Sequence, residues 1–192
     1  MNERVQKIFD LINKSKKKAT ILPHDDTIGS SIKEKYNLHP KSVLGILLDH
    51  TGGIVIDDWI RIYGSGELNL MTRNELFPYD ELLIGEDILG GLFIYLNNAN
   101  IGYFAPDCLE IEDMEFGYGN FLSWCLHGDT DRYYLDYRWN GWQDDVSKLS
   151  LDEGVSFFPF LWTKADNFES RKRSVIPMKE IIGLEMDFFM QL

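Results

Sequence analysis

Acidic pairs are the most numerous groups in this chain that could do chemistry. Asp57-Asp58, Glu86-Asp87, the set Glu110, Glu112 and Asp113, and Asp144-Asp145 each bring carboxyls close in sequence. Two carboxyls catalyse glycosidase-type hydrolysis when they face one cleft and one has a raised pKa. Neighbours on a strand point to opposite faces, so adjacency alone does not build such a cleft. With 31 Asp and Glu in 192 residues, a solvated or partner-facing acidic surface accounts for the same pairs. An enzymatic reading therefore needs Asp57, Asp58, Glu86 and Asp87 to converge, with at least one carboxyl in an apolar pocket.

Other reactive constellations are thin. Nucleophilic catalysis needs a Ser or Cys beside a base and an orienting acid. The histidines, His24, His39, His50 and His127, are scattered, and no G-x-S-x-G elbow occurs. They neither pair at i,i+4 nor join Cys108 and Cys125 in a zinc spacing. His24-Asp25-Asp26 precedes an expected helix, so capping by Asp26 or Thr27 explains it better than a metal. His127 with Asp129 and Asp131 reads as a helix end followed by a capping acid. Gly64-Ser65-Gly66-Glu67 lacks the third glycine of a dinucleotide fingerprint and the Lys-Ser/Thr of a Walker loop, so it reads as a turn. No catalytic residue, metal site or cofactor is assigned from sequence.

Aromatic residues carry a different signal. Tyr133, Tyr134, Tyr137, Trp139 and Trp142 are interleaved with Arg132, Arg138 and acids including Asp144 and Asp145. Tyr, Trp and Arg are enriched at interface hot spots, and acidic flanks steer a basic partner. Tyr137, Trp139, Trp142, Asp144 and Asp145 thus form an expected partner-binding face. The competing reading packs these rings into the protein's own second core.

The formal net charge is −12 and the pI near 4.7. Phosphate binding needs clustered Lys and Arg, so nucleic acid is not an expected partner, and neither is an anionic membrane. A basic protein is. The N-terminus lacks an apolar signal-peptide core, and no run reaches the roughly 18 apolar residues of a spanning helix, so a cytoplasmic location is expected. Two cysteines in a chain of this size read as reduced, buried thiols.

The elements that must position these residues begin with a helix within 2–18, striped by Val5, Ile8, Phe9 and Ile12. An extended segment follows over 19–23 and a second helix over 27–36. Strands are expected at 43–50 (VLGILLDH) and 54–63 (IVIDDWIRIY), then an irregular stretch at 70–79 with Pro78 as a breaker. The organising stretch is 82–114. Leu92 to Leu96 form an apolar run buried on both sides, Asn97, Asn98 and Asn100 turn the chain, and a strand starts at Gly102. Helices follow at 120–126, at 129–146 with a break near Gly141, and from Met178 to the end. The aromatic run 151–162 and the basic residues Arg171, Lys172 and Arg173 lie between the last two.

Five blocks, DHTGGIVIDDWIRIYGSG, LLIGEDILGGLFIYLN, GYFAPDCLEIEDMEFGYGNFLSWCLHGD, RWNGWQDDV and GVSFFPFLWT, occur in an order that resembles the bacterial family called domain of unknown function 2625. More distantly, Leu83, Ile84, Gly85, Glu86, Asp87, Gly90, Gly91, Phe93, Tyr103, Phe121 and Trp124 are similar to the SUKH superfamily. That resemblance implies an α+β fold and a role as an immunity or scaffold protein. The block from Asp129 onward departs from a compact SUKH domain.

The expected architecture is α+β: a mainly antiparallel sheet flanked by helices on one face, with an extended C-terminal helical and aromatic block. One domain is expected, with 1–42 as an N-terminal helical segment, 43–128 as sheet core and packing helix, and 129–192 as an extension packed on the core. Three function classes stay open: a non-enzymatic protein-binding module, a small hydrolase or ligand-binding enzyme with a carboxylate-lined cleft, and a structural homo-oligomer.

Overall fold

The computed structural model describes residues 3–77 and 81–191. Helix α1 (Glu3–Asn13) buries Val5, Ile8 and Ile12, the expected stripe. Strand β1 (Ala19–Ile21) leads to α2 (Asp26–Lys35), whose N-cap is Asp25. Its carboxylate accepts from the Thr27 and Ile28 amides, one residue earlier than the sequence suggested.

Residues 43–50 form a helix, α3 (Val43–His50), and not a strand. A continuous apolar run of this length fits either state, and here the ends decide. The Ser42 hydroxyl accepts from the Gly45 amide, and all of Leu44 to Leu48 are buried.

Residues 54–63 are two strands rather than one. β2 (Gly53–Ile56) and β3 (Ile60–Tyr63) form a hairpin, with Ile56 opposite Ile60. Asp57 and Asp58 both adopt left-handed φ, 52° and 55°, which Asp tolerates better than most residues. Lys18 steadies the turn, its amide donating to Asp57 and its ammonium to Asp58 at 2.7 Å. The stretch expected to be irregular contains α4 (Leu70–Asn74), capped by Asn69 through the Met71 and Thr72 amides. The breaker Pro78 lies outside the described residues.

The centre, expected to hold two strands and a turn, holds four strands: β5 (Leu92–Tyr95) and β6 (Asn100–Ala105) are the expected pair, and β4 (Leu82–Asp87) and β7 (Glu110–Gly117) flank them. Among the described residues β1 to β7 form one antiparallel sheet in sequence order. Helix α5 (Tyr118–His127) lies on the face that carries Phe93 and Tyr103. The Phe93 and Phe121 ring centroids are 4.7 Å apart, and both rings are fully buried. A buried ring of this size contributes about 1.5–3 kcal/mol relative to exposure.

The expected helix over 129–146 is divided. α6 (Thr130–Tyr133) runs into a 3-10 turn at Leu135–Tyr137, and α7 (Trp142–Val146) begins after Gly141, whose φ of 78° breaks the run. β8 (Glu153–Phe158) and β9 (Lys172–Pro177) pair as a separate antiparallel ribbon, and α8 (Met178–Phe189) closes the chain. Phe189 of α8 meets Phe104, the neighbour of Tyr103, so α8 lies on the sheet face opposite α5, whereas Tyr133 and Tyr134 at the start of the C-terminal block lie on the α5 side. The fold is α+β around a mainly antiparallel sheet. Its buried apolar cluster extends from Val5 in α1 to Met186 in α8.

Candidate functional site

Glu86 and Asp87 are consecutive on β4 and neither is solvent-exposed, yet they serve opposite faces of the sheet. Glu86 forms ion pairs with Arg61 at 3.3 Å and Arg73 at 3.4 Å, and accepts from the Tyr63 hydroxyl. The same arginines reach the C-terminal block. Arg61 donates to the Ser150 carbonyl, and Arg73 to the Leu151 carbonyl and the Asp152 carboxylate. Every ionic arm of Glu86 is occupied by the fold. This network ties the segment just ahead of β8, in the C-terminal block, to the sheet.

Asp87 faces the α5 side and meets no cation. Oδ1 accepts from the Leu89 and Gly91 amides, and Oδ2 from the Tyr103 hydroxyl at 2.6 Å and the Tyr134 hydroxyl at 3.0 Å. Burial raises its pKa, and the four hydrogen bonds pull the other way. Both phenols are held well above the usual tyrosine range, by burial first and by the Asp87 charge second. The Gly90-Gly91 pair makes room for this. A Cβ on Gly91 would collide with Asp87 and Tyr103, and one on Gly90, at φ 98°, with the carboxyl of Glu185.

Glu185, on α8, is buried near Asp87, and its Oε2 has no hydrogen-bond partner among the described residues. Burial and then the Asp87 charge push its pKa well up. The cavity that Glu185 lines holds about 10 Å³, scarcely room for one water.

Above Tyr103 and Tyr134 lies a partly open cavity of about 180 Å³. Its walls include Tyr133 and Tyr137, and its rim includes Asp107 and Glu112. Tyr137 donates to Asp107 at 2.5 Å. Tyr133 is 40% exposed and is held edge-on by three rings, Tyr134 at 4.9 Å, Trp124 at 5.1 Å and Tyr103 at 5.8 Å. Burial, then the charges of Asp87, Glu112 and Asp107, keep its hydroxyl protonated. The result is a cup of ring surfaces with carboxylates behind and around it, and no basic side chain in its lining. Ring faces and carboxylates both attract cations.

The other sequence-predicted residues lie elsewhere. Asp57 and Asp58, half-buried in the β2–β3 turn, face Lys17 and Lys18. The four cleft carboxylates therefore occupy three separate surroundings and do not face one cleft. Trp139 is 2% exposed, and its indole donates to Asp145 at 2.8 Å. Trp142 is half-buried, edge-on to Trp59 at 5.1 Å, with the Arg138 guanidinium 4.1 Å from its ring centroid. Asp144 and Asp145 are exposed. Of the five residues expected to meet a partner, Tyr137 alone lines the tyrosine cup. Cys125 is buried as expected, whereas Cys108 is exposed. The Cys108 thiol is pushed up by partial burial and by Asp107, Glu110 and Glu112, which leaves it a poor nucleophile. His24 lies 3.3 Å from Asp26, His127 contacts the Leu11 carbonyl, and Asp129 caps α6.

Of the other cup residues, Tyr133 and Tyr134 belong to the aromatic run and Glu112 to an acidic set that the sequence pointed out without giving them a site, and Tyr103 and Asp107 were assigned to none. A charge count gives the missing signal. The stretch from Asn74 to Asp131 contains twelve Asp and Glu and no Lys or Arg, so it alone accounts for the chain's −12.

Residues 2–181 match the family model described as "Protein of unknown function DUF2625". The chain belongs to that family. It is 36% identical over 176 residues to the Escherichia coli (strain K12) protein YbfG, itself described as uncharacterized, covering 84% of this chain and 80% of the relative. An uncharacterized protein of Haemophilus influenzae is 34% identical over 139 residues, 62% of this chain and 60% of its own. Among the described residues of this DUF2625 member, no helix is long and apolar enough to cross a membrane. No three His, Cys, Asp or Glu among them group as metal ligands.

Proposed function

We propose that this DUF2625 protein is a non-enzymatic binding module whose tyrosine cup accepts a cationic side chain of a basic protein partner. The observation that carries this reading is the cup itself: four tyrosines and two rim carboxylates enclosing about 180 Å³, with no Lys or Arg in the lining. At the β2–β3 turn, by contrast, the chain answers its own charge: Lys17 and Lys18 meet Asp57, Asp58 and Asp131. At the cup the answering charge has to come from another molecule. A cation placed over a tyrosine face gains about 0.5–2 kcal/mol, more as water is excluded. The similarity of the central blocks to the SUKH superfamily supports a role of the immunity or scaffold type.

Titration with N-acetyl-arginine amide, followed by NMR of the tyrosine ring protons, tests the reading. Shifts centred on Tyr133 and Tyr137 are expected, weakened about tenfold by Tyr133→Ala or Glu112→Gln. Equal shifts with the uncharged citrulline analogue, or equal binding by both variants, would refute a cation site. Light scattering separates this reading from a structural homo-oligomer, in which a second copy would cover Phe158, Phe188 and Met190, all exposed on the C-terminal block.

A further inference from the structure

We propose that β7 is a docking edge: an extended, basic segment of the partner adds to it as an eighth strand and delivers a Lys or Arg side chain into the tyrosine cup. The inference rests on the cup being a cation site, and adds to it the form and the sequence pattern of the partner.

β7 ends the sheet, paired with β6 on one side and with no strand on the other among the described residues. Glu110, Ile111, Glu112 and Asp113 are all exposed, and among the described residues neither helix nor loop buries them. Their register with β6 is regular, from Ala105 opposite Glu110 to Gly102 opposite Asp113. It is lost beyond, where the pairing shifts and Glu115 turns to a φ of 60°. The free ladder is therefore about four residues long. A row of outward N–H and C=O groups of this kind is a template for strand addition.

Alternation along β7 connects this edge to the cup. Glu112 lies opposite Tyr103 and rims the cavity, and Glu110, two residues away, shares its face. Ile111 and Asp113 point to the other face. Ile111 is 40% exposed and closes with Leu96 over the bare Cα of Gly102. Asp113 is bound by the side-chain amides of Asn98 at 2.8 Å and Asn100 at 3.1 Å, which hold its pKa low. An added strand thus meets carboxylates and the cup on one face and an aliphatic contact on the other. The segment that fits alternates basic and apolar residues.

The acids on this edge act in two directions. Asp107, Glu110, Glu112, Asp113 and Glu115 fall within nine residues, and among the described residues none forms an ion pair. A second copy of β7 brought alongside would set like charges against each other, which blocks edge-to-edge self-pairing. A basic strand meets the opposite condition. Repulsion of the wrong partner and attraction of the right one come from the same side chains.

The test uses the full chain and a capped hexapeptide of alternating Arg and Val, with binding measured by calorimetry. Two further peptides carry N-methyl groups on alternate backbone nitrogens, in either phase, so that charge is kept while one hydrogen-bonding edge is blocked. Expected is binding of the parent peptide, at least tenfold loss with one phase and little loss with the other. No parent binding, or equal binding by the parent and both methylated peptides, would overturn strand addition. In the second outcome the cup reading still stands if N-acetyl-arginine amide shifts Tyr133 in the wild type and not in Glu112→Gln. It falls separately if that small probe fails to bind.

Discussion

Glu86 and Asp87 sit side by side on one strand, equally hidden from water, and the fold satisfies them by different means. Glu86 is given two guanidiniums and a phenol, which in turn anchor the C-terminal block. Asp87 is given two amides and two phenols and no cation. The difference teaches which of the two is structural cement. Glu86 is closed off on all sides, while the tyrosines that satisfy Asp87 are the floor of an open cup. One face of the sheet uses its acid to hold the chain together, and the other holds a carboxyl just behind an accessible aromatic surface.

The largest way to break this comparison is Glu86→Ala. It leaves Arg61 and Arg73 buried without their carboxylate, and losing one partner of a buried ion pair costs about 3–5 kcal/mol. Thermal unfolding should fall by roughly 2–4 °C for each kcal/mol in a chain of this size. A loss under about 1 kcal/mol would mean that the network contributes little. Asp87→Asn is the intermediate case. It keeps the shape but turns one acceptor into a donor that faces hydroxyls or amides, at a cost of about 1–3 kcal/mol. It should also disturb Tyr103 and Tyr134, so binding of a cationic probe falls along with stability. A cost larger than that of Glu86→Ala would invert the comparison.

Glu185→Gln is the smallest change at mildly acidic pH, and it runs in the stabilising direction. The folded-state pKa of Glu185 is raised, so its contribution is fully present below the unfolded value, about 4.3, and is lost as pH rises toward the folded value. The Gln variant carries no such proton. At pH 5 it should be more stable than the wild type by about 1 kcal/mol, a gap that widens with pH until the folded pKa is passed. Unfolding curves at several pH values measure this. A wild-type advantage that grows with pH would show that Glu185 gains a partner on ionisation.

Much of the scaffold was legible in the residues. The α1 stripe, the apolar run of β5 and the strand that follows it each carry a local signal, whether periodicity or turn chemistry. VLGILLDH reads as a strand because the unbroken apolar run Val43 to Leu48 has no period to distinguish strand from helix; Ser42 capping Gly45 is the available clue. The β2–β3 hairpin was hidden because Asp57-Asp58 makes its tight turn without the glycine that usually marks one. Trp139 and Trp142, promising as exposed anchors, fold onto Trp59, which lies 80 residues earlier and whose contacts no local pattern reports.

The amino-acid sequence by itself determined the α+β class, the family and the charge, because periodicity, motif order and composition are properties of neighbours along the chain. Tertiary structure alone decided which acids are answered from within. Strand pairing placed Glu86 across from Arg61, and the packing of α6 against β6 placed Tyr133 and Tyr134 over Asp87 and opened the cup beside β7. Whether a carboxylate meets a guanidinium, a ring or open water depends on contacts between residues far apart in sequence, and those exist only once the chain has folded.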